Sequence, residues 1–114
     1  MDQKPIEQIL EVLQLFAERP ARYVRTVNSE TVFSFLCGLG FGCTACGVPC
    51  DWNGLLGFII QAQCDRGWGP RSKEVEAQMR VRGMDDDAII REHIAIYIAA
   101  YHLATDSASP KSPS

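Results

Sequence analysis

The feature that most constrains the fold is a long stretch without charged side chains in the middle of the chain. No Asp, Glu, Lys or Arg occurs from Thr31 to Cys50, and after Asp51 none occurs until Asp65. Such a segment must be covered on every side by neighbouring helices, or by lipid. Glycines and a proline interrupt the first part of the stretch, and it lacks the sustained Leu, Ile and Val density of an inserting helix. The pattern therefore favours buried central helices over the alternative, a membrane hairpin from residue 31 to residue 64.

Helical periodicity divides the chain into five segments. In the first, the apolar stripe consists of Ile6, Ile9, Leu10, Leu13 and Ala17. The predicted helices are approximately Pro5–Glu18, Glu30–Cys46, Trp52–Cys64, Lys73–Arg82 and a fifth that starts after the Asp85–Asp87 run and ends near Thr105. The second segment starts with β-branched and aromatic residues, so a strand over residues 31–35 is the alternative there.

The residues between these segments supply start and stop signals. Pro20 disfavours helical geometry at the preceding residue and so ends the first helix. Asn28 or Ser29 is suited to cap the second helix and Ser72 the fourth, while Gly83 is suited to stop the fourth. We expect an all-α fold, a compact orthogonal bundle of about five helices in one domain over residues 1–105. Residues 106–114 form a Ser/Pro-rich tail that we expect to be disordered.

Charge and cysteine content bound the setting in which the protein works. The net charge is −3 and the isoelectric point is about 5.3, which gives no attraction to nucleic acid or to an anionic membrane. The five cysteines are an odd number, and the first residues lack the apolar stretch of a secretion signal. These features predict a cytoplasmic protein with free thiols.

A cluster of cysteines is the sharpest candidate for chemistry. Cys43, Cys46 and Cys50 are spaced C-x2-C-x3-C, and Cys37 or Cys64 could supply a fourth ligand. Thiolates at this spacing can bind zinc or an iron–sulfur cluster, or act as a redox pair. The second paired motif of a closed zinc site is missing, and buried cysteine commonly serves as a small hydrophobic side chain. Metal or thiol-redox function is therefore kept as the alternative.

Other titratable residues do not combine into a catalytic set. His93 and His102 are nine residues apart on one predicted helix and face opposite sides, so they cannot share a metal. The run Asp85–Asp87 is most simply a helix cap, and otherwise an acidic surface facing a basic partner. We predict a protein that is not an enzyme and has no cofactor.

Aromatic residues in the connectors are the candidates for partner contacts. Tyr23, Trp52 and Trp68 occur in loops or at helix ends. There they either cover the core or, if exposed, anchor an interface, since aromatic and Arg side chains dominate binding hot spots.

Four short motifs occur in an order that resembles a known class of proteins. They are Arg19-Pro20-Ala21-Arg22-Tyr23-Val24, Val32-Phe33-Ser34-Phe35-Leu36-Cys37-Gly38, the helix Trp52 to Phe58, and Gly67-Trp68-Gly69-Pro70. This set, from Arg19 to Pro70, resembles the "RPxxYV", "FLxG" and "GWGP" segments of immunity proteins from bacterial polymorphic toxin systems.

The resemblance implies a cytoplasmic protein that binds and neutralises a cognate toxin without catalysis. The toxin would be a protein, and the acidic balance of the chain would suit a basic one. The residues we expect to contact it are Arg22, Tyr23, Trp68, Asp85, Asp86 and Asp87.

Overall fold

The computed structural model describes the backbone of residues 4–45 and 52–108, and the side chains of residues 7–39, 55–71 and 74–105. The elements are α1 (Lys4–Glu18), a 3₁₀ turn (Pro20–Arg22), α2 (Ser29–Ala45), α3 (Trp52–Asp65), α4 (Ser72–Val81) and α5 (Asp86–Ala108). No strand occurs within the described ranges, so the prediction of an all-α bundle is confirmed. The alternative of a strand at residues 31–35 is wrong, because these residues lie in α2.

Helix α5 lies at the centre of the bundle. It contacts α1, α2, α3 and α4, and its most extensive contacts are with α3. Its buried apolar side chains include neighbours in sequence as well as residues one turn apart, so more than one face of the helix is covered. They are Ile89, Ile90, Ile94, Ile96, Tyr97, Ala100, Tyr101 and Ala104. A helix without Gly or Pro over this length can bury side chains all round without a kink.

The apolar stripe of α1 is rotated slightly from the predicted one. Ile9, Leu10 and Leu13 are buried as expected. Phe16 rather than Ala17 continues the stripe, because Phe16 is fully buried whereas Ala17 is exposed. Both residues lie within reach of a helical stripe that starts at Leu13, and the larger ring occupies the space in the core.

Two helices end in the same glycine-dependent motif. Gly67 and Gly83 have φ values of +91° and +84°, in the left-handed region. After α4, the Met84 amide donates to the Met79 carbonyl at 3.1 Å and the Gly83 amide donates to the Arg80 carbonyl at 3.0 Å. This pair of bonds defines a Schellman ending, so the predicted stop at Gly83 is confirmed.

The start of α2 is capped by a reciprocal pair. The Asn28 side-chain oxygen accepts the Thr31 amide at 2.9 Å, and the Thr31 hydroxyl accepts the Asn28 amide at 3.1 Å. Asn28, the first of the two predicted caps, therefore holds the cap position. The predicted cap of α4 is displaced by one residue, because Ser72 is the first helical residue and Arg71 precedes it without a side-chain cap bond.

The structure also tests the predicted end of the last helix and the predicted membrane alternative. Helix α5 continues to Ala108, so the predicted boundary after residue 105 lies inside the helix, and residues 109–114 lie outside the described residues. Asp51, which is suited to cap the third helix, also lies outside them, as do Cys46 and Cys50. Within the described part, no helix combines the length and apolar character needed to cross a membrane.

We predict opposite effects of alanine at two glycines. Gly83→Ala should lower the free energy of unfolding by about 1–2 kcal/mol, because a Cβ disfavours the left-handed conformation. Gly38→Ala, at an exposed position within α2 where an added Cβ meets nothing within 4 Å, should raise it by up to about 1 kcal/mol. Urea unfolding of both variants measures these changes. A neutral Gly83→Ala would show that the ending of α4 does not need the left-handed residue.

Candidate functional site

A site that combines exposed apolar and basic side chains lies where α1 ends. Leu15, Glu18, Arg19, Arg22 and Tyr23 line a groove of about 310 Å³, and we call this group the arginine surface. Leu15 is 50% exposed and Tyr23 is 39% exposed, and the two side chains line the same groove as the arginines. The structure thus brings two of the predicted partner-binding residues, Arg22 and Tyr23, together at one place.

Proline produces this arrangement. Pro20 ends α1 and occupies the first position of the 3₁₀ turn, where a missing amide proton costs no hydrogen bond. The turn is closed by amides of Tyr23 and Val24, which donate to the Pro20 carbonyl at 2.9 and 3.1 Å. The chain therefore turns within a few residues, and Arg22 is placed beside the last turn of α1.

Tyr23 is fixed by aromatic packing beneath the surface. Its ring meets the ring of Phe16 edge-on, with centroids 5.5 Å apart, and lies 5.8 Å from that of Phe35. Phe16 and Phe35 contact each other at 4.4 Å, which completes a three-ring cluster between α1, the turn and α2. One side of Tyr23 is thus part of the core boundary, and the other remains available to solvent.

The arginines of this region have no carboxylate partner among the side chains that the structure describes. Within the described side chains, Arg19, Arg22 and Arg25 form no ion pair. From Leu15 to residue 27 the chain has three arginines against one glutamate, a local net charge of +2 in a chain whose overall charge is −3. The groove therefore combines the exposed side chains of Leu15 and Tyr23 with two guanidinium groups that have no ion pair among the described residues.

Trp68 lies in a different place and is built into the core. It is 7% exposed, and its indole N–H donates to Glu92 at 2.9 Å. The Arg82 guanidinium carbon lies 4.1 Å from the centroid of the ring and so covers its face. Of the two interpretations of Trp68, the structure shows that the side chain covers the core. A partner would have to displace Arg82 to reach the ring.

Glu92 organises the loop that carries Trp68. Arg66 forms a bidentate ion pair with Glu92, in which Nε donates to Oε2 at 2.7 Å and Nη2 donates to Oε1 at 2.8 Å. The Arg66 hydrogen bond holds the pKa of Glu92 below its usual value, against the opposing effect of burial, and the Trp68 hydrogen bond adds to the lowering. The same pair raises the pKa of Arg66. The carboxylate thus ties the end of α3 and the following loop to α5.

The acidic run at the start of α5 is also used inside the protein. Asp85 accepts the backbone amide three residues ahead at 2.8 Å, which confirms its interpretation as a helix cap. One oxygen of Asp86 accepts the Ser29 amide at 3.2 Å, and the other accepts Arg80 at 3.2 Å. Asp87 is exposed. Two of the three predicted partner-binding carboxylates are therefore engaged in internal contacts.

A second, smaller cavity of about 60 Å³ lies between α2, α3, α4 and α5. His93 borders it at 5% exposure, with Nε2 3.4 Å from Glu76, and the ring of Phe33 lies 5.2 Å away. The Cys37 sulfur and the Tyr97 hydroxyl lie 3.6 Å apart in its wall. Burial lowers the pKa of His93 and raises that of Tyr97. Both shifts favour the neutral forms of His93 and Tyr97, in keeping with the mainly apolar lining of the cavity.

The cysteine cluster is largely outside the described structure. The side chains of Cys43, Cys46 and Cys50 are not among those described, and Cys64 is exposed on α3. Among the described side chains, no three His, Cys, Asp or Glu residues are grouped closely enough to hold a metal ion. The alternative of a metal or redox site stays a prediction.

Comparison of the chain with protein-family models, with curated proteins and with solved structures finds no match. The site is therefore interpreted from its own geometry and from the motifs in the sequence.

Sequence reasoning missed Leu15 and Arg19 as members of the site. Leu15 is an apolar residue that lies outside the stripe of α1, between Leu13 and Phe16. An apolar side chain on the polar face of a surface helix was the available signal. The position of Arg19 depends on how tightly the chain turns after Pro20, which spacing alone does not give.

We predict that Glu92 contributes more to stability than a surface carboxylate. Glu92→Ala should lower the free energy of unfolding by about 2 kcal/mol, because it leaves the buried indole N–H of Trp68 without an acceptor. The control, Glu74→Ala, removes an exposed pair with Arg71 at 3.6 Å and should cost under about 0.5 kcal/mol. Urea unfolding compares the two variants. Equal effects would mean that the Glu92 contacts do not hold the loop.

We also predict a pH dependence of stability that originates from His93. Since the folded pKa lies below the ordinary value of 6.5, the unfolded chain binds more protons just below that pH. The free energy of unfolding should therefore be highest above about pH 6.5 and decrease as the pH falls, by at most about 1.4 kcal/mol per pH unit. His93→Gln should flatten this slope between about pH 7 and 5.5, whereas His102→Gln, at an exposed position, should preserve it.

Urea unfolding at a series of pH values measures both variants. Glu76 and Glu92 favour the charged form of His93 but do not outweigh burial. A wild-type profile that is flat across this window would show that the imidazole is not held neutral in the folded state.

Proposed function

We propose that this chain is a non-catalytic binding protein, an immunity protein that neutralises a cognate bacterial toxin by covering its active site. The arginine surface is the region we assign to toxin contact. The observation that carries the proposal is that the "RPxxYV" segment folds into this surface. Its Arg19, Arg22 and Tyr23 line the groove, while Pro20 sets the turn that presents them.

The chemistry of the surface supports a protein partner. Arg and Tyr are the side chains most enriched at binding hot spots, and Leu15 adds an apolar contact beside them. Tyr23 is held by Phe16 and Phe35, so binding would not have to order it. The surface therefore combines anchor residues with a rigid support, as a tight inhibitor requires.

Growth rescue tests the proposal. A toxin encoded beside the gene for this chain is expressed in a bacterial host together with the wild-type chain or a variant. We expect wild type to restore growth and Arg22→Glu to fail, because charge reversal at the surface removes a hot-spot contact and introduces repulsion. Arg91→Glu is the matched control, since it makes the same change at an exposed position of α5 outside the groove, and it should rescue as wild type does.

The variants must be compared at equal stability. Arg22 is exposed and has no ion pair among the described residues, so thermal unfolding of Arg22→Glu should match that of Arg91→Glu. Failure of the wild-type chain to rescue growth, with the toxin active and both proteins present, would contradict the proposed function. Rescue by Arg22→Glu would show that the toxin contacts a different surface of the chain.

A further inference from the structure

We propose that the arginine surface receives an acidic segment of the partner protein, with carboxylates on Arg19 and Arg22 and an apolar side chain against Leu15. This inference rests on the proposed function and specifies the chemistry of its partner. It differs from the expectation of a basic toxin that the acidic composition of the chain suggests.

The distribution of charges on the chain favours an acidic partner at this surface. The carboxylates expected to face a basic partner are largely occupied, since Asp85 caps α5 and Asp86 binds Arg80 and the amide of Ser29. The arginines of the surface, by contrast, have no carboxylate partner within the described side chains. Exposed carboxylates such as Asp87 remain elsewhere on the chain, but the net charge at the arginine surface itself is positive.

The geometry of the groove also suits carboxylates. Arg19 and Arg22 lie on either side of Pro20, one before the 3₁₀ turn and one at its end, and both border the same space of about 310 Å³. Guanidinium groups bind carboxylates through two parallel hydrogen bonds, which favours partners with Asp or Glu over neutral ones. Glu18 on the same rim disfavours a segment that brings a carboxylate to its side, and so helps set the orientation.

Apolar exposure distinguishes a protein segment from a nucleic acid. Leu15 is half exposed within the groove, and Val27 is 39% exposed in the connector that follows the turn. Nucleic-acid sites use an extended, positively charged groove along the phosphate backbone. Here the basic surface is small and the net charge of the chain is −3, which disfavours a nucleic acid. An acidic peptide with an apolar or aromatic side chain matches both features of the surface.

Selection from random peptides tests this partner chemistry without knowledge of the toxin. A phage-displayed library of short random peptides is selected on the immobilised full chain, with counterselection on the double variant Arg19→Glu/Arg22→Glu. We expect the enriched peptides to carry net negative charge and at least one large apolar residue. In fluorescence anisotropy, the best peptide should bind the double variant at least about tenfold more weakly than wild type, and Arg91→Glu should bind it as wild type does.

Three results would overturn the inference. They are enrichment of neutral or basic peptides, absence of any peptide that depends on the two arginines, and oligonucleotide binding that is lost in the same double variant. Should the double variant fail to fold by circular dichroism, Arg22→Gln provides the counterselection and the comparison, because it removes the charge alone. The affinity of the acidic peptide should also fall as salt is raised.

The peptide selection and the growth assay can fail separately. Growth rescue that depends on Arg22, together with basic peptides in the selection, would retain the proposed function and reject the acidic partner. Acidic peptides bound through Arg19 and Arg22, without growth rescue, would retain the chemistry of the surface and reject the role as an immunity protein.

Discussion

The burial of helix α5 is the constraint on which the rest of the structure depends. This helix contacts each of the other four helices, and its buried side chains cover more than one of its faces. A helix with this distribution of apolar residues is stable only when it is surrounded, because isolated helices of such length gain little from propensity alone. Helices α2 and α3, which contain most of the uncharged stretch, contact α5 and so help to cover it. The prediction that they form a buried central pair is wrong, because Phe33 and Gly38 on α2 and Gln61 on α3 are exposed and α5 is the central helix.

Polar residues on α5 then fix how its neighbours are placed. Asp86 binds the first turn of α2 and Arg80 of α4, Glu92 binds the end of α3 and the loop after it, and His93 approaches Glu76 of α4. Apolar contacts tolerate sliding and rotation, whereas a buried polar atom that loses its partner destabilises the fold. Glu92 and His93, whose side chains are largely buried, therefore favour one arrangement among the many that hydrophobic burial alone would allow, and the half-exposed contacts of Asp86 add less.

Much of the architecture could be predicted from sequence because its signals are local. Pro20, Asn28 and Gly83 mark helix boundaries through backbone geometry, and the described helices begin and end close to the expected residues. The roles of Trp68 and Asp86 could not be predicted, since each depends on a partner more than twenty residues away. Arg22 and Tyr23 were found from a motif, but their position beside Leu15 needed the path of the chain after Pro20.

The arginine surface follows from the same packing. Phe16 lies in the core stripe of α1 and Phe35 lies on α2, and their contact creates the platform on which Tyr23 rests. The segment from residue 15 to residue 27 has a net charge of +2, so the rest of a chain of charge −3 carries −5. An acidic segment that approaches the protein is repelled by most of the molecule and attracted at this patch, which favours one orientation of encounter. The acidic composition of the chain is therefore compatible with an acidic partner, because it confines the attraction for carboxylates to one small basic surface.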